Sequence, residues 1–307
     1  MPDSLTITIE QAVARVPIWR KASSLTASPI SGGVTNVNYR VEVDGEAFVV
    51  RIEGQGTERL GIDRQREYQC LVAASRTGVG PTVVYCLPAG GILVTRFIDG
   101  RNLSAEEMGR PEMIARVVRS LHLYHTGPPF DGLFSPFRTL EDYLRVARAH
   151  RAPLPGDTGW MFDRAAEIEA VLRPAWPAAL PCHNDLWGPN LIDDGTLVRI
   201  VDWEYAAMGN VYFDLANFAI HHTFSDAQDE ALLRAYFGAV TDLSLAQLKL
   251  LKIIAELREG MWCMVGVGVS NADFDFLGYA TTHFDRYHQA VDDARVSRWM
   301  VQAAAGA

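Results

Sequence analysis

Residues 182–190 read Cys-His-Asn-Asp-Leu-Trp-Gly-Pro-Asn, and residues 201–205 read Val-Asp-Trp-Glu-Tyr. Together they give the pattern H-x-D-x-x-x-x-N, an apolar strand, and then D-x-E. Asp185 is placed to orient a hydroxyl group, and Asn190 and Asp202 offer the oxygen ligands that Mg²⁺ prefers. Transfer of a phosphoryl group from ATP needs such groups in this order. The pattern therefore predicts an ATP- and Mg²⁺-dependent phosphotransferase with Asp185 as the catalytic base.

Protein kinases carry related segments, H-R-D-x-x-x-x-N and D-F-G. Here Asn184 stands in place of the Arg, and Trp203-Glu204 stands in place of Phe-Gly. The chain instead resembles the choline/ethanolamine kinase family, within the aminoglycoside phosphotransferase and protein-kinase-like superfamily. The resemblance implies an α+β, two-lobed protein-kinase-like fold, with a small antiparallel-sheet N-lobe containing one main helix and a larger helical C-lobe.

Two further residues are expected to support the catalytic loop. We expect the imidazole of His183 to brace the loop without transferring a proton. The family resemblance implies that Asp214 braces the loop from below. An Asp near the start of a helix can equally be a cap, and this alternative stays open at the level of sequence.

Composition and charge narrow the class of protein. The chain has 307 residues, of which 49% are hydrophobic and 21% charged, as in ordinary globular proteins. The net charge of −9 disfavours a nucleic-acid partner. The longest apolar run, 261–269, is too short to span a membrane, and the N-terminus lacks the pattern of a signal peptide. The four cysteines are scattered, which predicts free thiols in the cytoplasm, and the oligomeric state stays open.

The first hundred residues are rich in strand patterns. Residues 37–43 and 47–52 alternate around Asp44-Gly45, which predicts a β-hairpin. A helix over 61–77 and strands over 82–86 and 91–97 follow. We place the lobe boundary at Asp99-Gly100, which gives a nucleotide-binding N-lobe at 1–98 and a C-lobe at 99–307.

From Ser104 onward the patterns are helical. Ser104 with Glu107 fits a capping box before a helix over 113–124. The C-lobe is expected to carry the catalytic loop, the metal site and the acceptor pocket. Further helices are predicted over 140–149, 157–172, 213–222, 227–237, 244–265 and 273–292.

The N-lobe contains candidates for binding the nucleotide. Residues 30–39 read Ile-Ser-Gly-Gly-Val-Thr-Asn-Val-Asn-Tyr, and paired glycines let backbone N–H groups approach phosphate oxygens. Most such pairs are simple turns, but this one also resembles the G-G-x-T-N turn of choline-kinase-like proteins. Phe97 and Ile98, at the lobe junction, are expected to line the adenine slot and to offer backbone groups to the base. From the glycine-rich loop we select Gly32, Gly33, Thr35 and Asn36.

Arg51 occupies the place of the β3 Lys that contacts the phosphates in protein kinases. Lys21 is the only lysine in this lobe. Choline-kinase-like proteins resemble this chain in carrying an Arg at the position of Arg51. An Arg offers a planar fork to phosphate oxygens and keeps its charge. Glu67 is the candidate ion-pair partner, and the alternative is a charge on an exposed helix face.

The acceptor alcohol is predicted from aromatic and acidic residues. Tyr205, Trp262 and Trp187 are candidates for contacting a cationic head group by cation–π attraction, with Glu204 or Glu259 adding negative charge. Glu204 is also a candidate ligand for a second Mg²⁺. The alternative for Trp262 is a core residue on an apolar helix.

The family resemblance and these residues favour choline or ethanolamine as the acceptor. Aminoglycosides, thiamine and other small alcohols stay open, as does a pseudokinase that binds a nucleotide without turnover.

Overall fold

The computed structural model describes residues 7–31, 33–270 and 272–306. The predicted sheet-rich first part is a five-stranded antiparallel sheet in the order β1-β2-β3-β5-β4. The hairpin turns at Asp44-Gly45, where both residues have positive φ, as the sequence of this turn favours. The strands are β1 (Leu25–Ile30), β2 (Asn36–Val43), β3 (Glu46–Glu53), β4 (Val83–Leu87) and β5 (Ile92–Arg96).

Two helices accompany this sheet. Helix α1 (Ile9–Ala14) was not predicted, and it packs against β3. Helix α2 (Arg64–Arg76) begins at the N-cap Asp63, whose side chain accepts two backbone hydrogen bonds. Helix α2 lies within the predicted range and connects β3 to β4.

The rest of the chain is mainly helical, as predicted, so the α+β division into two parts is confirmed. The helices are α3 (Ala105–Met108), α4 (Pro111–His125), α5 (Pro136–Ala149), α6 (Thr158–Leu172), α7 (Val211–His221), α8 (Asp226–Phe237), α9 (Asp242–Val269), α10 (Phe276–Val291) and α11 (Val296–Ala305). Helix α11 was not predicted. No helix in the described ranges is long and apolar enough to cross a membrane.

The Ser104 capping box needs a correction. Its reciprocal bonds with Glu107 cap the four-residue helix α3 and not the long helix that follows. The long helix α4 starts separately at Pro111, where a proline at the first helical position needs no N–H partner.

Short strands frame the segment with the two motifs. They are β6 (Arg101–Asn102), β7 (Leu180–Cys182), β8 (Leu191–Asp193), β9 (Val198–Ile200) and β10 (Ala207–Gly209). Strands β6, β8 and β9 form one sheet, and β10 pairs with β7. The loop between β7 and β8 contains the first motif, and the second motif follows β9 directly.

The apolar core has two clusters. The smaller joins α1 to one face of the N-terminal sheet, and the larger fills the helical part around α9. The larger cluster also takes in Leu71 and Ala74 of α2, so this helix is held from the C-terminal side as well. The predicted division into 1–98 and 99–307 falls between β5 and β6 and stays a prediction.

Candidate active site

Asp214 holds the backbone of the loop between β7 and β8. It is fully buried in the first turn of α7, and its carboxylate accepts hydrogen bonds from the backbone N–H groups of His183 (2.8 Å) and Asn184 (2.6 Å). The hydroxyl of Tyr124 and the ring of His125 donate to the same carboxylate. The alternative reading of Asp214 as a helix cap is wrong, because Asn210 caps α7.

The electrostatics of Asp214 follow from these partners. Burial alone would raise the pKa of its carboxyl group, but the hydrogen bond and charge of His125 and the Tyr124 hydroxyl hold it below its usual value. Asp214 is therefore ionised at neutral pH, and its negative charge fixes two consecutive N–H groups of the loop.

His183 is buried, and its imidazole ring accepts one hydrogen bond and donates another. Its Nδ1 accepts from the backbone N–H of Asp185 at 3.2 Å, and its Nε2 lies 3.0 Å from the carbonyl oxygen of Val201. These partners assign the neutral tautomer with the proton on Nε2. Burial lowers the pKa of His183 to about 4, so the ring stays neutral at physiological pH. The geometry agrees with a bracing role without proton transfer.

Asp185 follows His183 and Asn184 in this braced loop and lines a cavity. The side-chain amide of Asn190 donates to the carbonyl oxygen of Asp185 (3.0 Å) and to its Oδ2 (3.3 Å). Burial raises the pKa of Asp185 to about 7, although the nearby Arg258 guanidinium opposes this rise. A carboxylate with this pKa is suited to accept a proton near neutral pH.

The residues of the two motifs fit a Mg²⁺ ion. Because the side-chain amide nitrogen of Asn190 is hydrogen-bonded to Asp185, the Oδ1 of Asn190 remains as the atom that could bind Mg²⁺. Asp202 follows β9 with a left-handed φ of 65°, and about a third of its side chain is exposed. Oxygen donors with open coordination positions are the arrangement that Mg²⁺ favours. That Asn190 and Asp202 hold the ion stays a prediction.

Arg51 and Glu67 form an ion pair in the wall of the cavity. Glu67 is 1% exposed, so the alternative that it is a charge on an exposed helix face is wrong. The Nη1 of Arg51 also lies 3.4 Å from the carboxylate of Asp202. Arg51 thus connects β3, α2 and the second motif.

Arg64 was missed at the level of sequence. It contacts three carboxylates, those of Glu67 (2.8 Å), Glu204 (3.1 Å) and Glu53 (3.0 Å). Its place at the first position of α2, next to a cap residue, looked like an ordinary charged helix start. Glu67 is three residues further along the same helix, and the tertiary structure adds Glu53 and Glu204.

The glycine-rich loop turns back on itself beside the cavity. A Cβ atom at Gly33 would lie 2.3 Å from the carbonyl oxygen of Asn36, so this turn requires glycine. The side chains of Thr35 and Asn36 contact Glu204, and their binding to a nucleotide stays a prediction. Gly32 lies outside the described residues.

Glu204 has partners within the chain that the sequence did not indicate. It is 4% exposed, and both of its carboxylate oxygens already accept hydrogen bonds from the chain. Glu204 thus pairs with the glycine-rich loop and with Arg64 and also lines the cavity, and its roles towards a second Mg²⁺ and the acceptor stay predictions.

One cavity of about 380 Å³ joins the predicted nucleotide and acceptor sites. At one end it is lined by Val49, Phe97 and Ile98, where the adenine slot was predicted. The backbone N–H of Phe97 donates to the carbonyl oxygen of Ala47 at 3.1 Å, so it is not offered to a base. This part of the prediction for Phe97 needs correction.

The other end of the cavity is aromatic. Trp187, Tyr205 and Trp262 line it as predicted, and Phe274 and Tyr279 were missed. These two residues flank the start of α10 in a segment with no motif, so their spacing gave no signal. Trp262 is half-buried: it packs against the larger core cluster and also lines the cavity, so its contact with an acceptor stays a prediction.

Tyr205 is less available than predicted. The guanidinium carbon of Arg258 lies 4.6 Å from the centre of its ring, so the chain's own cation covers one ring face. The hydroxyl of Tyr205 accepts a hydrogen bond from Trp262 Nε1 at 2.8 Å. Glu259 is buried and paired with Arg258 at 2.6 Å. Trp187, Trp262, Phe274 and Tyr279 therefore remain as half-buried aromatic residues of the cavity, and we call Trp262, Phe274 and Tyr279 the aromatic wall.

Comparison with known proteins identifies the family. A model described as "Phosphotransferase enzyme family" matches residues 26–248. The chain belongs to this phosphotransferase family. The predicted resemblance to choline/ethanolamine kinases and the prediction of a phosphotransferase are both confirmed.

The similar phosphotransferases include proteins named for small amino alcohols. "Probable ethanolamine kinase A" of Dictyostelium discoideum is 25% identical over 90% of this chain and 89% of its own length. A solved choline/ethanolamine kinase family protein from Mesorhizobium loti is 28% identical with a TM-score of 0.82, covering 96% of this chain and 97% of its own.

A more distant structure bears on the fold alone. The choline kinase LicA from Streptococcus pneumoniae has a TM-score of 0.78 at 21% identity, and it covers 92% of this chain and 98% of its own. The protein-kinase-like fold of this phosphotransferase is therefore confirmed.

Proposed function

We propose that this phosphotransferase transfers the γ-phosphoryl group of ATP to the hydroxyl group of a small cationic alcohol, with choline or ethanolamine as the leading acceptors. One observation carries the proposal. A single cavity brings Asp185, Asn190 and Asp202 together with the aromatic wall, so a hydroxyl group at Asp185 and a cationic group at the wall fit one small molecule.

Asp185 would orient the acceptor hydroxyl and take its proton as the phosphoryl group leaves ATP. Phosphoryl transfer depends mainly on positioning and charge neutralisation, so one well-held carboxylate is sufficient. The loop that carries Asp185 is fixed from below by Asp214 and from the side by His183. Its rigidity supports a role in positioning.

Arg51 would contact the phosphates from the N-lobe side. Its pairing with buried Glu67 orients the guanidinium towards the cavity, which it lines. Asn190 and Asp202 would hold Mg²⁺, which when bound neutralises charge on the triphosphate. Because Arg51 keeps the ion pair that active kinases form with Lys, its presence does not favour a pseudokinase.

The aromatic wall supports a cationic acceptor. Ring faces attract ammonium groups with about 0.5–2 kcal/mol each, depending on how far water is excluded. Phe274 lies between the other two rings, with centroid distances of 6.2 Å to Trp262 and 5.5 Å to Tyr279. The names of the Dictyostelium and Mesorhizobium relatives agree with an amino alcohol. We also propose that the protein acts in the cytoplasm, where ATP is available and thiols stay reduced, which agrees with the free Cys70, Cys86, Cys182 and Cys263.

The test is release of ADP from Mg·ATP against choline, ethanolamine, thiamine, several sugars and several aminoglycosides. We expect turnover with one amino alcohol and its loss in Asp185→Asn. The matched control is Asp142→Asn, whose side chain is 66% exposed in a surface ion pair and should leave turnover unchanged. Turnover only with an aminoglycoside or a sugar would refute the amino-alcohol assignment, and ATP binding without turnover on the whole panel would favour a pseudokinase.

A further inference from the structure

The carboxylate of Glu204 is held by donors from two other parts of the chain. Thr35 Oγ1 donates to Oε1 at 3.0 Å, and Asn36 Nδ2 donates to Oε2 at 3.1 Å. Arg64 Nη1, at the start of α2, reaches Oε2 at 3.1 Å. The contacts connect the glycine-rich loop and α2 in the N-lobe to the D-x-E motif in the C-lobe.

These donors form a closed arrangement. Arg64 uses one nitrogen for Glu204 and the other, Nη2, for the side-chain oxygen of Asn36 at 2.8 Å. Asn36, 5% exposed, returns its amide nitrogen to Glu204. A buried carboxylate is costly unless it is paired and hydrogen-bonded, and here Thr35, Asn36 and Arg64 all come from the opposite lobe.

The backbone of the loop is shaped to deliver these side chains. The carbonyl oxygen of Thr35 accepts from the N–H of Gly54 at 3.1 Å, which ties the loop to the end of β3. A Cβ atom at Gly54 would approach this oxygen to 2.4 Å, so a side chain here would push the loop away. Together with the tight turn at Gly33, this contact directs Thr35 and Asn36 towards Glu204.

We propose that Glu204 is a positioning residue that latches the glycine-rich loop to the metal motif. The interlobe latch consists of Thr35, Asn36, Arg64 and Glu204. Because Glu204 stands two residues after Asp202, the latch sets the loop and the metal motif relative to each other before a ligand arrives. An ordered loop loses less conformational freedom when it closes over phosphates. The assignment of the loop to ATP phosphates rests on the proposed function, whereas the latch itself does not.

The first test needs no nucleotide. Amide hydrogen exchange over residues 33–38 is compared in wild type, Thr35→Val, Glu204→Gln and the double variant. A hydrogen bond to a charged group is lost in each single variant, so exchange should be about tenfold faster. The double variant should add little, because both changes break the same latch.

The matched control is Thr158→Val, which removes a buried hydroxyl bond to the carbonyl oxygen of Pro155 at the start of α6. Its exchange over residues 33–38 should equal that of wild type. Wild-type exchange in both Thr35→Val and Glu204→Gln would overturn the latch.

A second test separates the latch from a metal-ligand role. Calorimetry measures the Kd for Mg·ATP and the Mg²⁺ concentration that gives half-maximal ATP binding. The latch predicts that Thr35→Val and Glu204→Gln both weaken ATP binding about tenfold, with the Mg²⁺ requirement unchanged in both. A raised Mg²⁺ requirement in Glu204→Gln alone would overturn it. If wild type binds no Mg·ATP, the proposed function fails, and hydrogen exchange still decides the latch.

Discussion

Replacement of Asp214 by Asn should both destabilise the protein and slow phosphoryl transfer. The carboxylate accepts four hydrogen bonds, one at Oδ1 from Asn184 and three at Oδ2 from Tyr124, His125 and His183. An Asn has one carbonyl oxygen, so in either orientation its NH₂ group faces a donor. At least one backbone N–H of the catalytic loop is then left buried and unpaired.

The magnitude follows from these contacts. An unpaired buried donor costs about 1–3 kcal/mol, and loss of a buried charged partner raises the total to roughly 3–5 kcal/mol. Because the loop carries Asp185, a displacement of the Asp185 carboxylate by about 1 Å should lower kcat by about 100-fold.

The assay is urea unfolding followed by tryptophan fluorescence, together with kcat at saturating substrates. The pKa of Asp214 is depressed in the folded state, so its contribution to the free energy of unfolding is complete above the ordinary pKa of 3.8 and is lost as pH falls through the folded-state pKa. The difference in the free energy of unfolding between wild type and Asp214→Asn should therefore shrink at acid pH.

In the exposed control Asp142→Asn, the free energy of unfolding should change by less than about 0.5 kcal/mol. The reasoning is refuted if Asp214→Asn stays within about 1 kcal/mol of wild type with an unaltered kcat.

Three further predictions concern the nucleotide end, the acceptor end and the core. Arg51→Lys removes the planar guanidinium fork, so the KM for ATP should rise about tenfold in initial-rate kinetics and the KM for the acceptor should stay unchanged. A change in the acceptor KM alone would contradict this prediction. Trp262→Ala removes one ring of the aromatic wall, so the acceptor KM should rise about 2- to 30-fold with an unchanged KM for ATP, and an unchanged acceptor KM would argue against the wall. Gly266→Ala places a Cβ 2.3 Å from the ring of Phe276 and should lower the free energy of unfolding by about 1–3 kcal/mol. The control is Gly159→Ala in α6, where an added Cβ has no neighbouring atom within 4 Å and should raise the free energy of unfolding by about 0.5–1 kcal/mol. Equal effects of the two changes in thermal unfolding would refute the packing argument.

The fold and the residue types of the catalytic loop could be predicted because their signals are local. The hairpin depends on the two residues Asp44-Gly45, and the first motif depends on the fixed spacing of Asp185 and Asn190. Each signal lies within one short stretch, where turn chemistry and spacing decide the outcome. The local signal was less reliable at Ser104, where the capping box was recognised but assigned to the wrong helix.

The pairing of Arg51 with Glu67 could be predicted from the kinase pattern, but the other partners of the charged residues could not, because they are set by tertiary structure. Arg64 gave no signal in the sequence, yet the structure places it with Glu67 in a buried ion-pair network. The contacts of Glu204 with the glycine-rich loop and Arg64 could not be found either, because the sequence shows only that Glu204 follows Asp202. Phe274 and Tyr279 join the acceptor end through the packing of α10 on α9, a contact that no motif encodes.

The aromatic wall lies apart from the phosphoryl-transfer residues along the chain. Asp185, Asn190 and Asp202 fall inside the stretch 26–248 that is shared across the family, whereas Trp262, Phe274 and Tyr279 come after it. Substitutions around the α9–α10 junction could therefore alter the choice of alcohol while the transfer residues stay as they are. An evolving lineage could acquire a new substrate by drift in this late segment, without passing through an inactive ancestor.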